Sequence, residues 1–340
     1  MNTLEKICQG QHLTIEQSFA EFSEIVTGKS SAIEIAAFLT ALKSKGETID
    51  EIMGAIQAMR QVTIPFPQAQ ELKQNFTVVD CCGTGGDGQQ TLNISTAVGI
   101  LLACTGITVA KHGNRAVSSQ CGSADLLEFL GVKLEVSAQD AANTLKKVGI
   151  NFLFAPFYHP GARFAKEVRS TLKVRTIFNI LGPLLNPIQP DYQLIGVYTP
   201  ELCKPFAQVL QLLGLKRALV VHGSGLDELA VHGPTTGCLL KDGFISDFYL
   251  TPHAAGLANY PLHALKGGET AHNAQALLDL LQGKGSAAFR ASVSLNAGAM
   301  LWLIDKAISI ADGVEIIQKI LDGNQGFEKL QQLIEVSNAQ

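Results

Sequence analysis

The spacing of apolar residues near the N-terminus predicts three consecutive helices. Each predicted helix opens with a hydroxyl residue three positions before Glu or Gln, which is the pattern of a capping box. These pairs are Thr14 with Gln17, Ser31 with Glu34 and Thr48 with Glu51. Gly46 is expected to end the second helix, and the third should end before Pro65. We therefore expect residues 1–72 to form a small helical domain.

After residue 74 the pattern changes to short apolar, β-branched runs separated by helical stretches. These runs occupy residues 77–80, 108–110 and 218–221. Such alternation predicts βαβ units and a central, mostly parallel sheet, so we expect 73–340 to be a large α/β domain. Helical periodicity returns at 271–281, 287–305 and 313–321. A Gly- and Pro-rich connection at 181–190 suggests that the chain crosses the domain boundary more than once, and that part of 165–190 joins the helical domain.

Composition narrows the classes of function. The 340 residues are 46% hydrophobic and carry a net charge of −4, so a large core is expected and a broad basic surface for nucleic acid is not. Seven cysteines without zinc-type spacing favour a reducing compartment. The first ten residues lack a signal-peptide pattern, and the sequence has no run of eighteen apolar residues. We expect a cytoplasmic protein that is neither exported nor membrane-spanning.

Residues 78–106 read as a buried strand, a glycine-rich turn and a helix whose first turn contains Asn93, Ser95 and Thr96. Glycines let backbone N–H groups approach an anion, and a helix N-terminus adds partial positive charge. The loop does not match the P-loop pattern of nucleoside triphosphatases. It therefore predicts a phosphate site, although the glycines could also serve only to make a tight turn.

A second polar segment follows the next predicted strand. It gathers, between residues 111 and 131, the hydrogen-bond donors Lys111, His112, Asn114, Arg115, Ser118, Ser119 and Ser123. Loops at the carboxyl ends of parallel strands lie at one edge of a sheet, so this segment is expected near the glycine loop and suits a ligand with several phosphates. The alternative is that Lys111 and Arg115 are solvated charges and that Ser123 and Asp125 only cap a helix.

Four segments resemble the anthranilate phosphoribosyltransferase family: 82–96, 111–131, 155–187 and 222–229. The likeness also includes the helical N-terminus and extends over nearly the whole chain. It implies a fold of the nucleoside phosphorylase and phosphoribosyltransferase type, a homodimer, and the substrates anthranilate and 5-phosphoribosyl pyrophosphate. Substitution at the anomeric carbon of ribose requires mainly positioning and neutralisation of the leaving pyrophosphate.

The resemblance assigns site residues. The phosphoribosyl pyrophosphate site would comprise Gly83, Gly86, Asp87, Thr91, Asn93, Ser95, Thr96, Lys111, Ser119 and Ser123. Two Mg²⁺ ions are implied, with Ser95, Asp227 and Glu228 as ligands, which suits the preference of Mg²⁺ for oxygen. Adjacent carboxylates are also common in the first turn of a helix, so Asp227 and Glu228 have that second interpretation.

For anthranilate, the resemblance points to Gly83, His112, Asn114, Tyr158 and Arg169. The planar guanidinium of Arg169 could hold the substrate carboxylate through two parallel hydrogen bonds. Arg175 is the rival, although on a helix it could simply pair with Glu167 or face solvent. His112 could be a general base or only a polar wall.

Two other functions remain open from the sequence. The first is a pyrimidine nucleoside phosphorylase, which shares this architecture but has a different loop pattern. The second is a relative without catalysis that binds nucleic acid; such a protein should be basic and should have lost Asp227, Glu228 or Arg169. This chain is acidic and keeps all three residues.

Overall fold

A computed structural model describes residues 2–116 and 119–339 of the chain. The chain folds into two compact units, and neither is continuous in sequence. The first comprises Met1–Pro65 and Ala155–Pro187, and the second comprises Phe66–Phe154 and Ile188–Gln340. The domain limits expected from the sequence, 1–72 with part of 165–190 and then 73–340, stay a prediction.

The first unit begins with four helices: α1 (Thr3–Cys8), α2 (Ile15–Val26), α3 (Ala32–Lys45) and α4 (Ile49–Gln61). All three predicted capping boxes are present, at the starts of α2, α3 and α4. Gly46 is the C-cap of α3, and its φ of 89° is accessible mainly to glycine. Local side-chain chemistry therefore sets the helix limits that the sequence predicted.

A buried ion pair ties the loops of these helices together. The side chain of Glu51 has no exposed surface, and that of Lys45, whose Nζ lies 2.9 Å from Glu51 Oε2, is 5% exposed. The two carboxylate oxygens also accept the backbone N–H groups of Leu13 at 2.9 Å and Thr48 at 2.8 Å. Glu51 thus completes a capping box and anchors the loop before α2 at the same time.

The second unit begins with α5 (Ala69–Asn75), β1 (Val78–Gly83), α6 (Ile94–Cys104), β2 (Thr108–Gly113), α7 (Ser123–Phe129), α8 (Ala138–Val148) and β3 (Ile150–Phe154). The chain then returns to the first unit and forms α9 (Ala155–Tyr158), α10 (Lys166–Leu172) and α11 (Phe178–Leu181). Within that unit, Phe22 packs edge-on against Phe38 and Phe178, so the returning segment shares its apolar core.

The rest of the second unit forms β4 (Tyr192–Gly196), α12 (Cys203–Leu212), β5 (Arg217–His222), β6 (Thr235–Lys241), β7 (Phe244–Leu250), α13 (Thr270–Leu281), α14 (Ala287–Leu303), α15 (Ile310–Leu321) and α16 (Gln325–Asn338). The three strands and the three C-terminal helices expected from periodicity are confirmed. The sequence did not predict α16 or the hairpin of β6 and β7.

The seven strands form one sheet in the order β3-β2-β1-β4-β5-β6-β7. Neighbours from β3 to β5 are parallel, whereas β6 and β7 pair antiparallel, so the expectation of a mostly parallel sheet is confirmed. Strand order reverses at β1, which lies between β2 and β4. Ligands of open α/β sheets bind at such a switch point, beyond the carboxyl ends of the strands.

Candidate active site

The glycine loop begins where β1 ends and leads into α6. Gly85, Gly86 and Gly88 have φ values of 67°, 79° and 78°, so the loop needs residues that tolerate the left-handed region. A Cβ on Gly83 would collide with the carboxylate of Asp227. A Cβ on Gly196, paired with Gly83 at the end of β4, would overlap the carbonyl oxygen of Asp227. The glycines therefore do more than make a tight turn, because they also admit the acidic loop.

That acidic loop follows β5 and packs directly on the glycine loop. Asp227 Oδ2 accepts the N–H of Gly85 at 2.7 Å, and the N–H of Asp227 approaches Asp87 Oδ2 at 3.4 Å. The backbone N–H of Ser95, in the first turn of α6, lies close enough to the carboxylate of Glu228 to oppose the rise in its pKa. Residues 227–230 are not helical, so the interpretation of Asp227 and Glu228 as first-turn residues of a helix is wrong.

Three carboxylates crowd this end of α6. Burial and the charge of Asp87 raise the pKa of Asp227 to about 7. Burial and the charge of Asp227 raise the pKa of Glu228 to about 8, although Lys111 opposes that shift. A divalent cation would relieve this repulsion, because opposite charge favours the ionised carboxylates.

The donor set suits Mg²⁺ shared with a ligand. Within residues 2–116 and 119–339, no three His, Cys, Asp or Glu side chains are arranged to enclose a metal by themselves. Mg²⁺ commonly binds through one or two carboxylates and completes its shell with water and substrate phosphates. Asp227 and Glu228 can supply the carboxylates, and the hydroxyl of Ser95 lies on the first turn of the adjacent helix.

Lys111, on β2, is buried rather than solvated. Its side chain donates from Nζ to the carbonyl oxygen of Cys81 at 2.7 Å and to Ser95 Oγ at 3.1 Å, and the residue is 2% exposed. The solvated-charge alternative is therefore wrong for Lys111. Its ammonium group acts on the site through Ser95, while direct contact with a phosphate stays a prediction.

Arg115 is held by acidic residues of α7. Its guanidinium nitrogens lie 2.6 Å and 3.0 Å from the two carboxylate oxygens of Glu128, and one of them lies 3.5 Å from Asp125. Asp125 accepts the N–H groups of Gly122 at 2.9 Å and Ala116 at 2.8 Å, which confirms its role as a cap at the start of α7. Arg115 is consequently occupied within this turn.

The remaining residues assigned to phosphoribosyl pyrophosphate differ in accessibility. Asn93 donates to the carbonyl oxygen of Cys121 at 3.1 Å and accepts from Asn273 at 2.9 Å, so its amide links three segments. Thr96 is 1% exposed, and its buried hydroxyl has no hydrogen-bond partner among the described residues. Ser119 is exposed and Ser123 is half-buried at the first position of α7, whereas Ser118 lies outside the described residues.

Of the residues assigned to anthranilate, three lie at or just after the carboxyl ends of β1 and β2, in the second unit. Gly83 ends β1 and His112 is buried in β2, where its N–H donates to Asp80 Oδ1 at 3.3 Å. Asn114 is exposed, and its side-chain oxygen accepts the N–H of Arg115 at 2.7 Å.

The other two residues assigned to anthranilate belong to the first unit. Arg169 lies on α10 with its guanidinium 5.3 Å from the ring centroid of Phe178. No carboxylate of the described residues pairs with Arg169, and burial lowers the pKa of its guanidinium. Tyr158 is 2% exposed and packs edge-on against Phe157. Arg175 follows the end of α10 and is exposed, so the assumption that it lies on a helix is wrong.

Comparison with known proteins identifies the family. Residues 1–63 match the helical bundle domain of a glycosyl transferase family, and residues 75–325 match its α/β domain. Anthranilate phosphoribosyltransferase of Pseudoalteromonas translucida is 50% identical over 335 residues, which cover 98% of this chain and 93% of that protein. The chain belongs to the anthranilate phosphoribosyltransferase family. The enzyme of Sorangium cellulosum is 46% identical, with 98% of this chain and 94% of that protein covered.

Solved structures agree with this membership of the anthranilate phosphoribosyltransferase family. The enzyme from Thermus thermophilus superposes with a TM-score of 0.90 at 37% identity and covers 99% of this chain and 100% of its own. A Saccharomyces cerevisiae member solved in complex with PRPP and Mg has a TM-score of 0.85, with 96% and 93% coverage. Its identity is 24%, so that likeness concerns the fold. Among the residues described, no helix is long and apolar enough to span a membrane.

Two residues that the sequence did not single out hold the acidic loop of this family member. His222, at the end of β5, contacts the carbonyl oxygen of Val197 through Nδ1 at 2.8 Å and accepts the N–H of Gly225 at 3.1 Å. Asn296, fully buried on α14, accepts the N–H of Leu229 at 2.9 Å and donates to its carbonyl oxygen at 3.1 Å. An asparagine in the middle of an apolar helix was the available signal in the sequence.

The two adjacent thiols beside the loop are expected to be unreactive. Cys81 and Cys82 are both buried. Burial raises the pKa of Cys81 to about 12 and holds that of Cys82 well above its ordinary value. A protonated thiol is a poor nucleophile.

Proposed function

We propose that this chain transfers the phosphoribosyl group of 5-phosphoribosyl 1-pyrophosphate to the amine of anthranilate, as a step of tryptophan biosynthesis. The bond between ribose C1 and the pyrophosphate oxygen breaks, a C1–N bond forms, and the amine loses a proton. The observation that carries the proposal is the packing of Asp227 and Glu228 against the glycine loop and the start of α6, in a member of this family.

The loops at the carboxyl ends of the strands would position the pyrophosphate. Asn93 makes no side-chain cap at the start of α6, so its side chain does not compete with an anion for the backbone N–H groups of the first turn. Among the left-handed glycines of the loop, Gly85 donates its N–H to Asp227, whereas Gly88 leaves its N–H without a covering Cβ. We propose that these donors hold the departing group as negative charge develops on it.

We propose that Ser95, Asp227 and Glu228 hold Mg²⁺, with two ions expected in all. When bound, Mg²⁺ would neutralise charge on the pyrophosphate. Lys111 fixes the orientation of the Ser95 hydroxyl, and Gly85 fixes that of the Asp227 carboxylate. His222 and Asn296 hold the backbone on either side of the two acidic residues.

Arg169 is the proposed anchor of the anthranilate carboxylate. A guanidinium without an anionic partner in the described residues is well suited to a planar carboxylate. Gly83, His112, Asn114 and Tyr158 are proposed as the other anthranilate residues. An aryl amine is neutral near pH 7, so its attack on C1 requires alignment more than a strong base.

The deciding experiment follows the loss of anthranilate fluorescence with purified protein. We expect turnover only when phosphoribosyl pyrophosphate and Mg²⁺ are both present. Phosphorolysis of thymidine or uridine, without consumption of phosphoribosyl pyrophosphate, would show a nucleoside phosphorylase instead. Salt-sensitive binding of an oligonucleotide without transferase activity would show a nucleic-acid-binding relative.

Arg169→Ala tests the anthranilate role. We expect KM for anthranilate to rise about tenfold or more, because a charge-assisted contact is lost, while KM for phosphoribosyl pyrophosphate changes little. Arg163→Ala is the matched control, since Arg163 also stacks on a phenylalanine, at 4.8 Å from the ring centroid of Phe164. Equal losses for both substrates in Arg169→Ala would contradict the assignment.

A homodimer and a cytoplasmic location also remain proposals. They follow from the family resemblance and from cysteine usage, respectively. Analytical ultracentrifugation of the purified chain would test the dimer, for which we expect about twice the monomer mass.

A further inference from the structure

The glycine loop has a second backbone partner besides the acidic loop. The N–H of Leu92 donates to the carbonyl oxygen of Leu265 at 2.9 Å, and the N–H of Gly267 donates to that of Gln90 at 2.8 Å. Between these two bonds, Thr91 and Lys266 face each other as an antiparallel bridge. The chain after β7 therefore forms one wall of the loop in which the phosphate site is proposed.

The pattern of these hydrogen bonds determines where the two side chains point. The bonds join the neighbours of Thr91 and Lys266 rather than the two residues themselves, so they form a non-hydrogen-bonded antiparallel pair. Cα atoms in such a pair are about 4.5 Å apart, and both side chains project from the same face. The side chains of Thr91 and Lys266 therefore lie next to each other on the same face of the bridge.

The approach of the two segments is close enough to restrict position 267. A Cβ on Gly267 would lie 2.7 Å from the carbonyl oxygen of Thr91, a distance that real Cβ atoms do not tolerate. A glycine beside Lys266 thus lets the two backbones meet. The bridge is a built feature of the loop rather than a passing contact.

The cations near the loop differ in whether their side chains are already held by the protein. Lys111 is buried and donates to Cys81 and Ser95, and Arg115 is paired with Glu128. Both cations that the sequence offered to a phosphate ligand are therefore engaged by the protein. Lys266 is exposed, and in the part of the chain that the structure describes its ammonium has no hydrogen bond or ion pair.

We propose that Lys266 is a further phosphate-binding residue, which contacts a phosphate oxygen of the anion held by the glycine loop, beside Thr91. The identity of that anion as phosphoribosyl pyrophosphate rests on the proposed function. The contact itself requires only an anion with phosphate oxygens. Its long, flexible stem gives Lys266 the reach to follow the ligand as a point charge.

Calorimetric titration with two probes tests the contact independently of catalysis. Inorganic pyrophosphate with Mg²⁺ represents the leaving group, and ribose 5-phosphate represents the other end of the substrate. We expect Lys266→Met to weaken binding of one of these probes about tenfold, because a charge-assisted contact is lost, and Lys266→Arg to retain most of it. Unchanged binding of both probes in Lys266→Met would overturn the proposal.

Lys319→Met is the matched control. Lys319 is also an exposed lysine of the second unit, and it lies on α15 near that helix's C-terminus. The control removes the same charge without touching the loop, so its probe affinities should match those of the unchanged protein. An equal loss in both variants would mean that only net charge matters, which would also overturn the proposal.

Kinetics then separate this inference from the proposed function. In an active transferase, Lys266→Met should raise KM for phosphoribosyl pyrophosphate about tenfold and leave KM for anthranilate unchanged. A chain whose pyrophosphate binding depends on Lys266 but which transfers nothing to anthranilate would overturn only the proposed function. A chain that binds neither probe nor phosphoribosyl pyrophosphate would overturn both.

Discussion

Replacement of Asn296 by alanine should destabilise the second unit strongly. The amide of Asn296 satisfies both backbone groups of Leu229 in a fully buried position on α14. Without it the N–H and the carbonyl of Leu229 lose their partner, and each unsatisfied buried group costs about 1–3 kcal/mol. The two groups together predict a loss of about 2–6 kcal/mol in the free energy of unfolding.

The same helix offers a control of opposite expectation. Ser294 is also fully buried, but among the described residues its hydroxyl has no hydrogen-bond partner. Ser294→Ala should therefore change stability by less than about 1 kcal/mol, in the stabilising direction. Urea unfolding followed by the fluorescence of Trp302, the single tryptophan, would report both variants in the unit that contains them.

The refuting result is equal stability of the two variants. If Asn296→Ala unfolded at the same urea midpoint as Ser294→Ala, with an unchanged slope, the amide would not hold Leu229 as the structure indicates. The Mg²⁺ requirement for activity provides a second measurement, because it depends on the acidic loop. In a still-folded Asn296→Ala protein, more Mg²⁺ should be needed for half-maximal activity, because Glu228 immediately precedes Leu229, while KM for anthranilate stays the same.

Two further predictions concern pH. Burial raises the pKa of Glu51, but hydrogen bonds and Lys45 outweigh it and lower the pKa overall. The contribution of Glu51 to stability should therefore be present above about pH 4.5 and be lost as pH falls through the lowered pKa. In Glu51→Gln, the free energy of unfolding measured in urea should depend less on pH in the acid range. The pKa values of Asp227 and Glu228 are raised to about 7 and about 8, so the metal-free folded chain binds more protons than the unfolded chain and should lose stability as pH rises from about 4 to about 8. Added Mg²⁺ should consequently raise the melting temperature more at pH 8 than at pH 6, and an equal shift at both would contradict carboxylate binding.

Local chemistry accounts for the parts of the fold that the sequence predicted. A capping box involves residues three positions apart, so Ser31 and Glu34 reveal the start of α3 without knowledge of the rest of the chain. The strand before the glycine loop is equally readable, because a buried parallel strand is a short apolar run. By contrast, β6 mixes buried with exposed positions and β7 has only exposed and half-buried ones, so neither strand is a continuous apolar run.

The candidate site divides in the same way. The loop residues and the acidic pair can be found from sequence because each occupies a compact motif. The contact between Lys111 and Ser95 and the bridge between Thr91 and Lys266 cannot be found in this way. The bridge joins residues 175 positions apart, and their meeting depends on the order of the strands. Sequence spacing also gives no measure of burial, so it does not show that Thr96 is only 1% exposed.

The glycines at the ends of β1 and β4 have a consequence for protein engineering. Because any side chain at Gly83 or Gly196 would occupy the space of Asp227, these three positions behave as one designable unit. A library that varies either glycine alone would consist almost entirely of proteins with a displaced acidic loop. Altered substrate preference is better sought at the exposed position 266, whose side chain makes no hydrogen bond or ion pair among the described residues.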